Sequence, residues 1–376
     1  MTVLPDAGSV VAKTGAPSVA PARSERLFSA FETWPPGLFY LPVVLHWFLL
    51  SFRHHSLTLP SLANPCMEAG GLCGESKAAV LSLLGPEGRR WLAPFTCIIT
   101  DRKNSPSEDL NHALQAIAEA GLSFPVVAKP NIGCQGSGVR RVDTPEQLKL
   151  YLEQFPRGEG VILQRFIPHG SEAGVFYVRP PGSEHGRIFS ITLKYFPRVV
   201  GDGVSTLEQL IRADSRASRI APTYVKRHTR QADRVLARGE EFPLVFVGNH
   251  CKGAIFRNGA QLLTPAMQQR FDCIAREIPD FHFGRFDIRF RSIEGLQRGD
   301  DFSIIEFNGA GSEATHIWDR DTTLWEAYRV LREQLRLLFE IGSVNRTRGL
   351  KAIPPLALIG LYLKERRLMR CYPVGE

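Results

Sequence analysis

No apolar run in this chain reaches the roughly 18 uninterrupted residues that a bilayer-spanning helix requires, so no spanning helix is expected. The seven cysteines, at positions 66, 73, 97, 134, 251, 273 and 371, are odd in number and contain no CxxC pair. That pattern fits reduced thiols in a cytoplasmic compartment and argues against a disulfide framework or a zinc site. The opening residues lack the basic-then-apolar order of a signal peptide, which again predicts a cytoplasmic protein. Acidic residues are the scarcer charge, 38 Asp and Glu against 46 Lys and Arg, leaving a net charge of +8. The excess favours anionic partners. The basic residues are dispersed and come with no recognition motif, so nucleic acid is not an expected partner.

What is present is ordinary for a globular chain of 376 residues, 44% hydrophobic and 22% charged, with a prior of about two to three domains. Residues 1–26, rich in Ala, Ser, Pro, Gly and Val without a usable period, are read as a disordered tail. An N-terminal region follows over 27–90, a main domain over 91–349 and an apolar-basic segment over 350–376. The most apolar run, 37–50, ends in Ser-Phe-Arg-His-His, and a second, 350–363, is followed by Lys-Glu-Arg-Arg. Each suits either a buried core helix or a helix lying in an anionic membrane interface on the cytoplasmic face.

Two short runs near the far end alternate apolar and polar residues, Gly-Arg-Phe-Asp-Ile-Arg at 284–289 and Ile-Ile-Glu-Phe-Asn-Gly at 304–309. Period two is the mark of a strand with one packed and one working face. If the runs pair through the polar linker 292–301, Asp287, Glu306 and Asn308 converge beside Arg285. Two carboxylates and an amide oxygen suit Mg2+ together with substrate phosphates, and a neighbouring arginine suits a phosphoryl group. A solvated, salt-bridged hairpin face accounts for the same residues.

Upstream, a buried strand ends in Lys129 and runs into Asn-Ile-Gly-Cys-Gln-Gly-Ser-Gly-Val at 131–139. Three glycines in six positions give a loop whose amides can close over phosphates, although the loop has neither the Walker nor the dinucleotide spacing, and a plain hairpin loop remains open. A glycine-rich turn at 70–77 leads into a helix, as an anion cradle or as a simple N-cap at Ser76. Helices are expected over 107–121, 143–154, 207–213, 265–278 and 322–339, and the basic stretch 226–238 is read as an exposed helix. Strands are expected over 91–101, 161–167, 172–179 and 188–196, and 244–251 is expected to pair with 253–256.

In chain order these elements resemble the ATP-grasp superfamily, in particular its D-alanine–D-alanine ligase-like and cyanophycin synthetase-like branches, over residues 91–349. The resemblance implies an α+β fold, two α+β subdomains with mainly antiparallel sheets enclosing the nucleotide, with the lid subdomain at about 124–190. It implies ATP and one or two Mg2+ ions, a carboxylate and an amine joined through an acyl phosphate, and a homodimer. By resemblance Lys129 contacts the ATP phosphates, and Gly133, Gly136, Ser137 and Gly138 belong to the lid loop. Gln164, Arg165, Phe166 and Ile167 fall at the adenine hinge, Glu172 at the ribose and Lys194 on the phosphate side. Arg285 is similar to the arginine that stabilises the transferring phosphoryl group, and Asp287, Glu306 and Asn308 match the Mg2+ ligands. The family usually has glutamate where this chain has Gln164, and its further phosphate lysine corresponds to Lys103 or Lys77.

Substrate groups are expected from Arg289 and from the run after the metal strand, Gly309, Ser312, Glu313 and His316, where a glycine turn and helix cap is the plainer reading. Asn249 and His250 are weaker candidates. Two other functions use the same residues: a kinase phosphorylating a small molecule, and a non-catalytic nucleotide-binding module at a membrane surface.

Overall fold

The computed structural model describes residues 29–32, 34–101, 105–168, 171–245, 248 and 253–375. The expected tail at 1–26, Lys103, Asn249, His250 and Cys251 lie outside the described residues.

Proline and short hydroxyl or carboxyl side chains set most helix starts. Helix α1 (Pro36–Arg53) opens on proline, and α2 (Lys77–Ser82) is capped by Ser76, whose hydroxyl accepts the Ala79 N–H. After α3 (Pro86–Trp91) and strand β1 (Phe95–Ile99), α4 (Pro106–Glu119) begins with a reciprocal capping box between Ser105 and Glu108. Strands β2 (Val126–Pro130) and β3 (Arg140–Val142) flank the glycine-rich loop, and α5 (Pro145–Gln154) is capped by Thr144. With β4 (Gly160–Arg165) these strands make an antiparallel sheet in the order β1-β4-β2-β3. One face of it buries Val126, Ala128, Val161 and Leu163 against Ile117, Leu148 and Tyr151 of α4 and α5.

The next two strands, β5 (Ser171–Val178) and β6 (Arg187–Tyr195), open a second antiparallel sheet. The lid subdomain expected at about 124–190 includes β5 and the start of β6. Their ladders run to later strands instead, and the four-stranded sheet takes in β1 from upstream. A small unit follows, of β7 (Arg198–Val200), α6 (Leu207–Ala213), α7 (Ala221–Arg227) and β8 (Glu241–Pro243), closed around Leu207, Ile211 and Leu236. The exposed helix expected over 226–238 does not form. The carbonyls of Ala232, Arg234 and Leu236 accept the N–H groups of Glu208, Leu207 and Gly203, and a continuous helix would have consumed those acceptors. Of the strand pair expected at 244–251 and 253–256, residues 246, 247 and 249–252 lie outside the described residues; β9 (Ile255–Asn258) pairs with β6, and β8 pairs with β7.

After α8 (Pro265–Arg276), β10 (Phe283–Phe290) and β11 (Phe302–Asn308) complete the sheet β11-β10-β5-β6-β9. The linker between them holds a short helix, α9 (Ile293–Arg298), started by Ser292 and stopped by Gly299 at φ 73°. One face of the sheet buries Val175, Ile191, Phe286, Ile288 and Ile304 with Phe271 and Ile274 of α8. On the other face, Phe176, Val178 and Phe283 pack with Leu335, Leu338 and Phe339 of α10 (Leu324–Thr347), leaving the rest of that face polar. The expected end of α10 at 339 is passed by eight residues, which keeps Gly342 helical where a Cβ would meet Leu59 O at 2.5 Å. A last helix, α11 (Pro355–Cys371), follows Pro354.

The N-terminal region is woven into these same cores. Leu59, Leu62 and Ala63 pack with α10, and Val80 and Leu81 pack beneath the five-stranded sheet. Helix α1 is not the buried helix its composition allows, since it buries Phe39 and Leu50 and turns most of its other large side chains outward.

Candidate functional site

Strand register builds the site. Arg285 lies opposite Asn308 and Asp287 opposite Glu306 across β10 and β11, with a bulge after Asp287. On the next strand Gly174 faces Asp287, and a Cβ there would sit 2.9 Å from Arg285 Cδ and 3.2 Å from Asp287 Oδ1. Only glycine leaves that floor open. Two positions along β5, Glu172 faces both Arg289 on β10 and Lys194 on β6.

The charges are interlocked. Arg285 donates through Nε and Nη2 to both Asp287 oxygens, at 2.9 and 3.0 Å, and through Nη1 to Glu313 O at 2.9 Å. Lys194 Nζ lies 2.9 Å from Glu172 Oε1 and 3.0 Å from Asp287 Oδ1. Arg289 Nε is 3.4 Å from the other Glu172 oxygen, and its guanidinium lies over Phe196. Lys77, at the first position of α2, pairs with Glu306. Of the two lysines that the sequence offers, Lys77 lines this site and Lys103 lies outside the described residues.

From the four-stranded sheet Lys129 reaches across, donating to Gln164 Oε1 at 2.9 Å and to Ile305 O at 3.0 Å. Gln164 is held in turn by donating to Ala93 O at 3.1 Å. Burial, opposed by Glu306 and reinforced by Lys77, brings the Lys129 ammonium down to about 8. Burial also disfavours ionised Asp287 and Glu306, but the cations outweigh it: Arg285 and Lys194 hold Asp287, and Lys77 and Lys129 hold Glu306, below the usual carboxylate range.

These groups line a cleft of about 1000 Å³ that also takes in Gly133, Gly136, Ser137, Arg165, Phe166, Ile167, Glu172, Asn308, Ser312 and Glu313. Arg165 and Phe166 spend their backbone N–H groups on Pro94 O and Pro125 O. Ser312 donates its hydroxyl to Gly309 O at 2.6 Å, the plain turn that its sequence allowed. Among the described residues no three or more His, Cys, Asp or Glu side chains form a cage for a metal ion. Asp287, Glu306 and the Asn308 amide instead form the open, oxygen-only set that suits Mg2+ when phosphate completes the shell.

Three sequence candidates are not among the lining residues. Gly138, at φ 69°, gives its carbonyl to Tyr151 OH and rests on Pro130 and Tyr372, so it shapes the loop from behind. Gly309 is pressed against Gly71 and Met67, and Ala310 and Gly311 donate to Gly70 O and Gly71 O at 3.0 and 2.7 Å. His316 lies in a 3-10 turn with Nδ1 buried and without a partner.

Burial holds the His316 imidazole at about 4 against an ordinary 6.5, which keeps it neutral in the folded chain. The unfolded chain takes up that proton first, so the stability tied to this group is complete above 6.5 and is lost as pH falls towards 4. His316→Asn should therefore flatten part of the acid limb of a Tm-against-pH curve. An unchanged limb would remove His316 as a contributor.

Sequence reasoning missed several neighbours because they arrive from remote segments. Tyr40 on α1 and Trp318 each donate at 2.8 Å to Glu313, fixing both its oxygens. The glycine loop is held by the C-terminal segment: Tyr372 OH donates to Ile132 O at 2.7 Å, Arg140 donates to Val374 O at 2.7 Å, and Cys134 Sγ lies 3.6 Å from Met369 Sδ. Burial of its sulfur, with Glu365 beside it, pushes the Cys134 thiol up to about 12, which disfavours the thiolate.

No family model matches the sequence, and no curated protein matches it. Among solved structures the chain is similar to a bifunctional glutathione synthetase from Pasteurella multocida, with TM-score 0.34 and 15% identity, over 70% of this chain and 35% of that one. A D-Ala:D-Ser ligase from Enterococcus faecalis gives 0.40 and 13%, over 73% and 64% of the two chains. A D-alanine-D-alanine ligase from Coxiella burnetii gives 0.39 and 10%, over 80% and 64%. The chain thus spans about a third of the first and just under two thirds of the other two. At these TM-scores the likeness is loose, and the cleft's own chemistry has to carry any assignment.

Proposed function

We propose that this chain is an ATP-dependent ligase of the ATP-grasp type, joining a carboxylate to an amine through an acyl phosphate. The observation that carries the reading is the facing pairs Arg285/Asn308 and Asp287/Glu306, met in one cleft by Lys129, Lys77 and Lys194 beneath a glycine-rich loop. Lys129 and the glycine-rich loop of Gly133, Gly136 and Ser137 bind the phosphates. With two of the hinge N–H groups already used, adenine recognition falls to the hinge carbonyls and to Ile167. Asp287, Glu306 and Asn308 would hold Mg2+, which when bound draws charge from the transferring phosphoryl group.

The substrate carboxylate attacks the terminal phosphorus as its bond to the ADP oxygen breaks. The amine nitrogen then forms the C–N bond as phosphate leaves and the amine proton is lost. Arg285 stabilises the negative charge that builds in both steps, and the loop latched by Tyr372 keeps water from the acyl phosphate. Glu313, whose two oxygens are oriented by Tyr40 and Trp318, is the group assigned in this reading to receive a cationic amine.

The test is thermal unfolding with and without Mg2+ and ATP. At about a hundredfold its dissociation constant a ligand adds roughly 2.7 kcal/mol, an easily read rise in Tm. The rise should shrink in Lys129→Ala and Glu306→Ala. ADP release should then require a carboxylate and an amine together; release with a single hydroxyl compound would make the chain a kinase, and no rise with Mg2+ and ATP would sink both enzyme readings.

A further inference from the structure

Helix α1 runs 18 residues with no Asp, Glu, Lys or Arg before Arg53, and it lies at the surface. Phe39 and Leu50 pack inward, with Val43 and Trp47 partly buried beside α10. The opposite stripe, Leu38, Leu41, Leu45, Phe48 and Phe52, recurs every three or four residues and is exposed, Phe52 to 81% and Leu45 to 61%. A contiguous apolar face of this kind on a folded chain marks a surface that something covers. The first half of α11 repeats the pattern with Leu356, Ile359 and Leu363, Leu356 being 83% exposed.

The segment just after α1 and the segment just before α11 meet at one place. Thr58 Oγ1, in the turns just beyond α1, donates to Ile353 O at 2.7 Å, the Ile353 N–H donates to Ser61 Oγ at 3.0 Å, and Arg346 Nη1 donates to His54 O at 2.8 Å. Around this junction Arg53, His55 and Lys351 are exposed, and Lys364, Arg366 and Arg367 follow on α11. The nearby acid, Glu340, is paired with Arg336. A second copy of the chain would bring two basic rims together, which like-charge repulsion opposes. An anionic bilayer satisfies both features, taking the apolar stripe into its headgroup boundary and the cations onto its phosphates. Among the described residues no helix is long and apolar enough to cross a membrane, so the contact is in-plane.

We propose that the outer stripe of α1 and the first half of α11 form one face that docks on an anionic membrane surface. The test is flotation of the full chain with phosphatidylcholine vesicles, with and without phosphatidylserine. Binding is expected with phosphatidylserine, and salt should weaken it. The triple change Leu45→Glu, Phe48→Glu, Phe52→Glu should reduce the bound fraction at least about tenfold. Arg53→Gln and Lys351→Gln should each cost about fivefold. All these positions are exposed, so unchanged melting curves will show that the fold is intact. The proposal is overturned if the natural chain does not float with anionic vesicles, or if the triple variant floats equally well. It is also overturned if the natural chain instead forms a dimer that the triple variant dissolves.

Discussion

Arg285→Ala should lower ADP release by about a hundredfold to a thousandfold, the usual consequence of removing one preorganised donor from a site of developing negative charge. Its guanidinium is fixed from three directions by both Asp287 oxygens and by Glu313 O, so it is held in place before any substrate arrives. Arg285→Lys should recover little, because a single ammonium cannot hold both Asp287 oxygens and the Glu313 carbonyl at once. Lys194 still balances Asp287 in either variant, so the fold should survive with a reduced Tm. ADP release per folded molecule, with Tm recorded alongside, separates the two effects. Activity of Arg285→Ala within about threefold of the natural chain would take Arg285 out of the chemistry.

Gly71→Ala should cost about 3 kcal/mol of stability, read as a lower urea midpoint with an unchanged slope. Gly71 sits at φ 75°, and its added Cβ would lie 2.7 Å from Gly309 Cα, against backbone that cannot give way. A left-handed alanine alone accounts for only about 1–2 kcal/mol. Gly182→Ala, at φ 84° with open space around it, isolates that backbone share. Equal losses in the two variants would mean that the contact between residues 70–71 and 309–311 contributes nothing. If the contact matters, the Gly71 variant should also weaken nucleotide binding, because the same backbone contact sets Gly309 to Ser312 directly after Asn308.

Much of this site was legible in the chain. The alternation at 284–289 and 304–308 placed Arg285, Asp287, Glu306 and Asn308 on one side of their strands, and the structure faces them in pairs. A strand's period of two is a property of the backbone and needs no knowledge of the rest of the fold. Helix starts were legible for a similar reason, since Ser76 and Thr144 each cap the amide three residues on and Pro145 fixes its own φ. The expected helix at 226–238 failed where local pattern was overruled: the turn at 203–208 needed carbonyl acceptors, and residues 232–236 supplied them. His316 looked as eligible as Ser312, because nothing in the eight-residue run 309–316 says which side chain a buried turn will swallow.

By itself, then, the sequence determined most of the strands and helices, which side of the two site strands is polar, and where a lysine stands before a glycine-rich loop. Only the tertiary structure decided that Lys77 meets Glu306, that Gly70 and Gly71 close against Gly309, that the C-terminal segment holds the glycine loop, and that α1 turns its apolar stripe outward. The reason is one of range. Periodicity and caps orient a side chain relative to its own element, whereas what stands opposite depends on contacts between residues hundreds of positions apart, and no local pattern encodes them.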